Sequence, residues 1–259
     1  MTVFAVAGGK GGTGKSTLAA ELTLALTRQG RAVIGIDLDE QHHYTTRVGV
    51  TAATEIYSVA ADVLKGTATL TEAAVPAPAI PGAQVVVATH ELGTLNPFSV
   101  PDLVTGLRDH LRAGGLGDAD DLIIDCPASL EDVTLTALAA ADIVIATAMC
   151  EYDSYGELPR LEQRIKSVIA PRVRPGAQID YVALGRFDKR RGMDRKILEE
   201  ARATYGERVL APIRQATEVG KAFRAGQPVG LFKPSSTASL DFVDSLGPII
   251  RAHSSRSTS

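Results

Sequence analysis

Short apolar runs alternate along this chain with stretches whose leucines recur at helical spacing, and that alternation predicts strands and helices in turn. TVFAVA (2–7), AVIGID (32–37), QVVVAT (84–89), DLIIDCP (121–127), ADIVIATA (141–148) and the segment 178–184 read as strands. A helix is predicted over 15–28, where Leu18, Leu22 and Leu26 share a face and Gly30 follows as a stop. Further helices are predicted over 56–66, 99–113, 154–169, 192–205 and 236–252, the last weakened by Gly247 and Pro248. Apolar strands of this kind suit burial on both faces of a sheet. Strands separated by helices imply βαβ units, so the expected fold class is α/β: one mostly parallel, twisted sheet with helices on both faces. The Pro- and Ala-rich stretch 73–83 reads as a surface connection, because a strand follows at once. One domain over 1–253 is expected, with SSRSTS (254–259) as a disordered tail.

Composition narrows the class. The 259 residues carry 27 Lys+Arg against 30 Asp+Glu, a net charge of −3, and 45% are hydrophobic. Such a chain is neither disordered nor fibrous, and it is long enough to bury a core. Two cysteines cannot build a disulfide framework, so a reducing cytoplasm is expected. No apolar run reaches the roughly 20 residues of a membrane-spanning helix, and the start has no basic segment with a cleavage site. A mild acidic excess leaves room for a local basic patch.

The strongest chemical signal is Gly9-Lys10-Gly11-Gly12-Thr13-Gly14-Lys15-Ser16, which fits G-x-x-x-x-G-K-[ST] between a predicted strand and a predicted helix. Glycines let backbone N–H groups converge on phosphate oxygens, and the helix start adds its positive dipole end. Lys15 then reaches the β- and γ-phosphates, Ser16 offers its hydroxyl to Mg²⁺, and Thr17 is a further phosphate contact. Asp37 and Asp39 end the second strand, where two carboxylates at i and i+2 can serve the metal and the attacking water. Asp125 ends the apolar run LIID, which cannot solvate it, so a metal or hydrogen-bond role is expected. Cys126 reads as a buried spectator.

Lys10 is not required by a plain phosphate loop. The string GGKGGTGKST resembles the deviant Walker A motif of the ParA/MinD family of P-loop ATPases, a SIMIBI-type NTPase fold. The resemblance implies that Lys10 crosses an ATP-dependent homodimer to touch the partner's phosphates. It assigns Asp39 to the hydrolytic water, Asp37 to the metal shell and Asp125 to a Mg²⁺-bound water. It gives Glu151 a contact with the ribose or with the signature lysine across the dimer. VLAPIRQATEVGKAFRAGQPV (209–229) resembles the family's base-binding segment, which puts Pro212, Ile213 and Arg214 at the adenine. Glu40, His42, His43, Ala128, Gly185 and Arg186 depart from the family's usual residues. The resemblance runs from Val3 to about Leu246 and is closest to small ParA-like partition ATPases without an N-terminal DNA-reading domain.

Arg186, Lys189, Arg190, Arg191, Arg195 and Lys196, with Arg214, Lys221, Arg224 and Lys233, form a locally basic stretch. A basic stripe doubled in a dimer can hold DNA phosphates without reading bases. Arg190, Arg191, Lys221 and Arg224 are the expected DNA contacts. The resulting expectation is a nucleoid-associated ATPase that works with a ParB-like adaptor on a plasmid, a chromosome origin or a protein assembly such as a carboxysome or chemoreceptor cluster. A MinD-like membrane regulator would need a basic amphipathic C-terminal helix, yet 240–253 hold only Arg251 together with Gly247 and Pro248. A dethiobiotin-synthetase-like ligase would not need Lys10. A nitrogenase-iron-protein relative would need bridging cysteines, and Cys126 directly follows Asp125.

Overall fold

The computed structural model describes residues 1–254, with no side-chain statement at 254. The tail expected at 254–259 therefore lies outside the described residues, apart from the backbone of its first residue. Among the described residues, seven strands form one sheet: β1 (Thr2–Ala7), β2 (Val33–Asp37), β3 (Ala74–Pro76), β4 (Ala83–Val86), β5 (Asp121–Asp125), β6 (Ile143–Met149) and β7 (Tyr181–Gly185). Their order is β3-β4-β2-β5-β1-β6-β7. Every pairing is parallel except that of β3, the antiparallel edge. The α/β class read from the sequence holds.

Strands β1, β2, β5 and β6 are buried at every position. Helices cover both faces, which explains why these segments read as unbroken apolar runs rather than alternating ones. One core includes Leu18, Leu22 and Phe242, from the helices Lys15–Thr27 and Thr237–Ser254. The other includes Leu107, Leu138 and Leu161, from helices Leu103–Arg112, Asp132–Ala140 and Glu157–Arg164.

Several boundaries differ from the sequence reading. The helix expected over 56–66 is confined to Ala60–Lys65. Its residue Val59 is extended and receives no side-chain cap, although its N–H donates to Asp62. Helix Asp132–Ala140 had no counterpart in the reading, because it is buried on all sides and carries no amphipathic stripe. The 73–83 connection contains the edge strand β3, where Pro76 is tolerated because an edge residue need not donate to a neighbour. A short helix, His43–Arg47, follows β2, over residues to which the sequence reading assigned no element.

That short helix depends on a glycine. Tyr44 is fully buried and its hydroxyl meets Thr23 Oγ1 of the helix Lys15–Thr27 at 2.7 Å. The ring crosses β2 at Gly35, where an added Cβ would lie 2.0 Å from the Tyr44 hydroxyl oxygen. Gly35→Ala is expected to cost about 1–3 kcal/mol by overpacking, a drop of several degrees in Tm. A Tm within one degree or so of wild type by calorimetry would contradict this packing.

Candidate functional site

The glycine-rich loop leaves the end of β1 and turns into the helix Lys15–Thr27. Gly12 and Gly14 take φ values of 76° and 94°, left-handed conformations that suit glycine. Thr13 Oγ1 meets Thr147 Oγ1 of β6 at 2.8 Å and fixes the loop to the sheet. Lys15 is buried, and its Nζ donates to the Lys10 carbonyl at 3.3 Å. Its ammonium is thus folded over the concave side of the loop, where phosphate oxygens would compete for it.

The loop opens on a cavity of about 1120 Å³. Gly11 to Leu18 form its floor, and Asp39 and Glu40 stand at one side with Pro127, Ala128 and Ser129. Ile213, Arg214, Gln215 and Phe223 form another wall. Of the three residues expected at the adenine, Ile213 and Arg214 reach the cavity and Pro212 does not. Arg214 is also committed: its guanidinium grips Asp241 of the last helix, with Nη2 at 2.5 Å from Oδ1 and Nε at 2.9 Å from Oδ2. The arginine expected to face the base therefore braces the wall, and the neighbouring side chains supply the surface.

The acidic residues are placed by strand register. Asp37 and Asp125 end the adjacent parallel strands β2 and β5 and stand opposite one another. Both are fully buried. Asp37 Oδ2 accepts from the Thr45 amide at 2.9 Å and hydroxyl at 2.7 Å, and Oδ1 accepts from the Asp39 amide at 3.1 Å. Asp37 thus pins the loop that carries Asp39, a role the sequence did not reveal. Both oxygens of Asp125 lack a hydrogen-bond partner among the described residues. Burial, then the charge of Asp37, holds the Asp125 carboxyl well above the usual range; the Ser16 hydroxyl and the Lys15 charge pull the other way. A buried carboxylate whose oxygens make no hydrogen bond of good geometry among the described residues, near a serine hydroxyl, fits a hydrated divalent cation. Asp39 lines the cavity, half-buried, with Oδ1 accepting from the Gln41 amide at 3.1 Å.

Lys10 and Glu151 lie outside this cavity. The Lys10 ammonium, 41% exposed, stands 4.0 Å from Asp153, a loose contact of small worth. Glu151 is exposed at the start of the turn Tyr152–Tyr155. Among residues the sequence reading did not assign to the site, Arg186 is the clearest. It holds φ at 56°, lines the cavity, and its guanidinium lies 3.8 Å from where a Gly12 Cβ would be. A non-glycine residue in a left-handed conformation was the missing signal, and no sequence pattern carries it.

Residues 1–174 match the family described as AAA domain. Over 239 residues the chain is 32% identical to the chromosome partitioning protein ParA of Caulobacter vibrioides, covering 90% of this chain and 87% of that one. The chain belongs to the ParA family of P-loop ATPases. It is 26% identical to the sporulation initiation inhibitor protein Soj of Bacillus subtilis, over 93% of this chain and 95% of that one. A solved structure named cobyrinic acid a,c-diamide synthase, from Mycobacterium smegmatis with a bound ATP analog and magnesium, is 28% identical. It superposes with a TM-score of 0.79 over 97% of this chain and 94% of that chain. Among the described residues no helix is long and apolar enough to cross a membrane.

Behind the loop this ParA-family chain carries a further buried carboxylate. Glu21, on the helix Lys15–Thr27, accepts from the amides of Val229 and Gly230, and Arg28 donates to the Gly230 carbonyl at 3.1 Å. Together they tie the segment after the cavity wall to the loop's own helix. Burial pushes Glu21 up to about 7, against the two amides, Arg47 and Arg28. Its folded value exceeds its unfolded value of 4.5, so its contribution to stability is complete below about 4.5 and is lost as pH rises through 7. Relative to Glu21→Gln, the wild type should lose up to about 1.4 kcal/mol per pH unit in that window. Chemical denaturation at pH 5 and pH 7.5 checks this; a stability difference that does not change with pH would refute it.

Proposed function

We propose that this chain is a Mg²⁺-dependent ATPase that dimerises on ATP, binds DNA without sequence preference in that state, and positions a cargo with a ParB-like adaptor. The observation that carries the reading is the division of labour between two lysines. Lys15 lines the cavity of its own chain, while Lys10 is not among the residues that line it and stands 4.0 Å from exposed Asp153. A lysine whose task lay in its own pocket would be expected to line it. One lent to a second copy would be expected to stand at the rim. An amide-forming synthase, as the name of the M. smegmatis relative would suggest, leaves Lys10 without a task. The relative named for chromosome partitioning is consistent with a DNA or chromosomal cargo.

In this reading the loop amides of Gly11 to Ser16, the Lys15 ammonium and the Thr17 hydroxyl hold the phosphates. Ser16 and Asp125 hold the magnesium and its water, with Asp37 supporting them from the neighbouring strand. When bound, the metal neutralises charge on the phosphates and lowers the barrier to water attack. Asp39 orients that water from a loop pinned by Asp37 and Thr45. Ile213 and the Arg214 backbone, braced on Asp241, shape the base side. Glu151, exposed at the same rim as Lys10, contacts the partner.

The DNA contacts are not equivalent. Arg190 spends its guanidinium on Asp188, with Nη2 at 2.8 Å from the carboxylate. Lys221 and Arg224 are exposed at the end of the helix Thr217–Arg224, and neither makes an ion pair among the described residues. Binding to an arbitrary duplex should appear with Mg–ATP, be absent with Mg–ADP, and fall steeply with salt. Lys221→Ala/Arg224→Ala should flatten the salt slope by about two per protomer, and Arg190→Ala by less. Equal affinity in both nucleotide states, measured by fluorescence anisotropy, would overturn the DNA part of the reading.

A further inference from the structure

We propose a second ligand site, at the end of the sheet away from the nucleotide cavity, that binds a small phosphate-bearing molecule. A separate cavity of about 300 Å³ lies where β1 and β6 begin, whereas the glycine-rich loop follows the end of β1. Its walls include Arg108, Arg112, Arg174, Asp142 and Val3. Three arginines and one aspartate thus line it. That carboxylate is partly spent, because Asp142 Oδ2 accepts the Val3 amide at 2.9 Å.

Two of the arginines are already fixed in place. Arg108 Nη2 donates to the Val173 carbonyl at 2.8 Å, and Arg174 Nη1 donates to the Asp142 carbonyl at 2.6 Å. The other edge of Arg174, Nε and Nη2, is shut off from water and has no partner among the described residues. That edge is the one arginines of this chain use to grip a carboxylate: Arg31 on Asp121 and Arg214 on Asp241 both employ Nε and Nη2. A buried guanidinium edge without an acceptor is costly to keep, and parallel N–H groups of this kind match the oxygens of a phosphate. For the edge to meet a ligand in the cavity that Arg174 lines, the guanidinium must release the Asp142 carbonyl and rotate, exchanging one neutral acceptor for the ligand's charged oxygens.

The occupant is small, because the cavity holds only about 300 Å³. The excess of positive charge favours a dianionic phosphate over a single carboxylate. Neither Lys15 nor Asp125 lines this cavity, so the site is independent of the nucleotide reading.

Thermal shift and calorimetric titration with inorganic phosphate and with glycerol 3-phosphate, against chloride at equal ionic strength, test the proposal. Both phosphates should stabilise the wild type, and the tighter of the two tells free phosphate from a phosphate ester. In the Lys15→Ala background, which removes the loop's own phosphate contact, Arg174→Met should abolish the effect, and exposed Arg112→Gln should weaken binding about tenfold. Lys15→Ala, which disables the glycine-rich loop, should retain it. No phosphate-specific shift in the wild type would overturn the site. A shift lost in Lys15→Ala but kept in Arg174→Met would assign phosphate to the glycine-rich loop instead. A larger shift with succinate than with either phosphate would overturn the ligand class.

Discussion

Asp125→Asn is expected to make the ligand-free protein more stable and the enzyme nearly inactive. With Asp37 opposite on the next strand and the Ser16 hydroxyl standing near, neither Asp125 oxygen makes a hydrogen bond of good geometry among the described residues. Burial raises its folded pKa well above the usual carboxylate value. Such a group stabilises the fold fully only below its unfolded pKa, and the contribution disappears as pH rises. At pH 7.5 the wild type therefore carries a penalty that an amide lacks. The gain for Asn should be about 1–3 kcal/mol, or several degrees in Tm, and should shrink toward pH 4. The same change removes a carboxylate proposed to hold the metal's water, a loss of about 10–100-fold in activity or metal affinity. Calorimetry at two pH values with a phosphate-release assay checks both halves. A destabilised variant, or one with wild-type turnover, would contradict the assignment.

How much of this was legible in advance depended on range. The glycine-rich loop is contiguous, so Gly9 to Ser16 announced a strand, a turn and a helix start together, and the structure has all three. The end of β2 was legible for the same reason, the run AVIGID closing at Asp37, whereas β5 stops at Asp125, two residues before Pro127, where the run was expected to end. What could not be read were contacts between distant segments. Nothing local says that Asp37 spends its oxygens on Thr45 and Asp39. Nothing in APIRQ says that Arg214 turns to Asp241 while Pro212 stays off the cavity. Helix Asp132–Ala140 was invisible because hydrophobic periodicity needs a solvent side, and this helix has none.

The second large effect concerns Lys10. Among the described residues its one ion-pair contact is exposed Asp153, at 4.0 Å, so removing it should leave the fold of one copy intact. If two copies close over a pair of nucleotides, each Lys10 gains phosphate oxygens of its neighbour, charge-assisted contacts far stronger than the one it leaves. Loss of those contacts from both sides of a symmetric dimer is doubled by the symmetry. Lys10→Ala should therefore keep its Tm within about a degree of wild type yet fail to dimerise.

The decisive measurement is solution mass by light scattering with Mg²⁺ and a slowly hydrolysed ATP analogue. The wild type should double its mass over the ADP form, while Lys10→Ala should stay monomeric in both. A Lys10→Ala protein that still doubles its mass on the analogue would contradict the account at its centre.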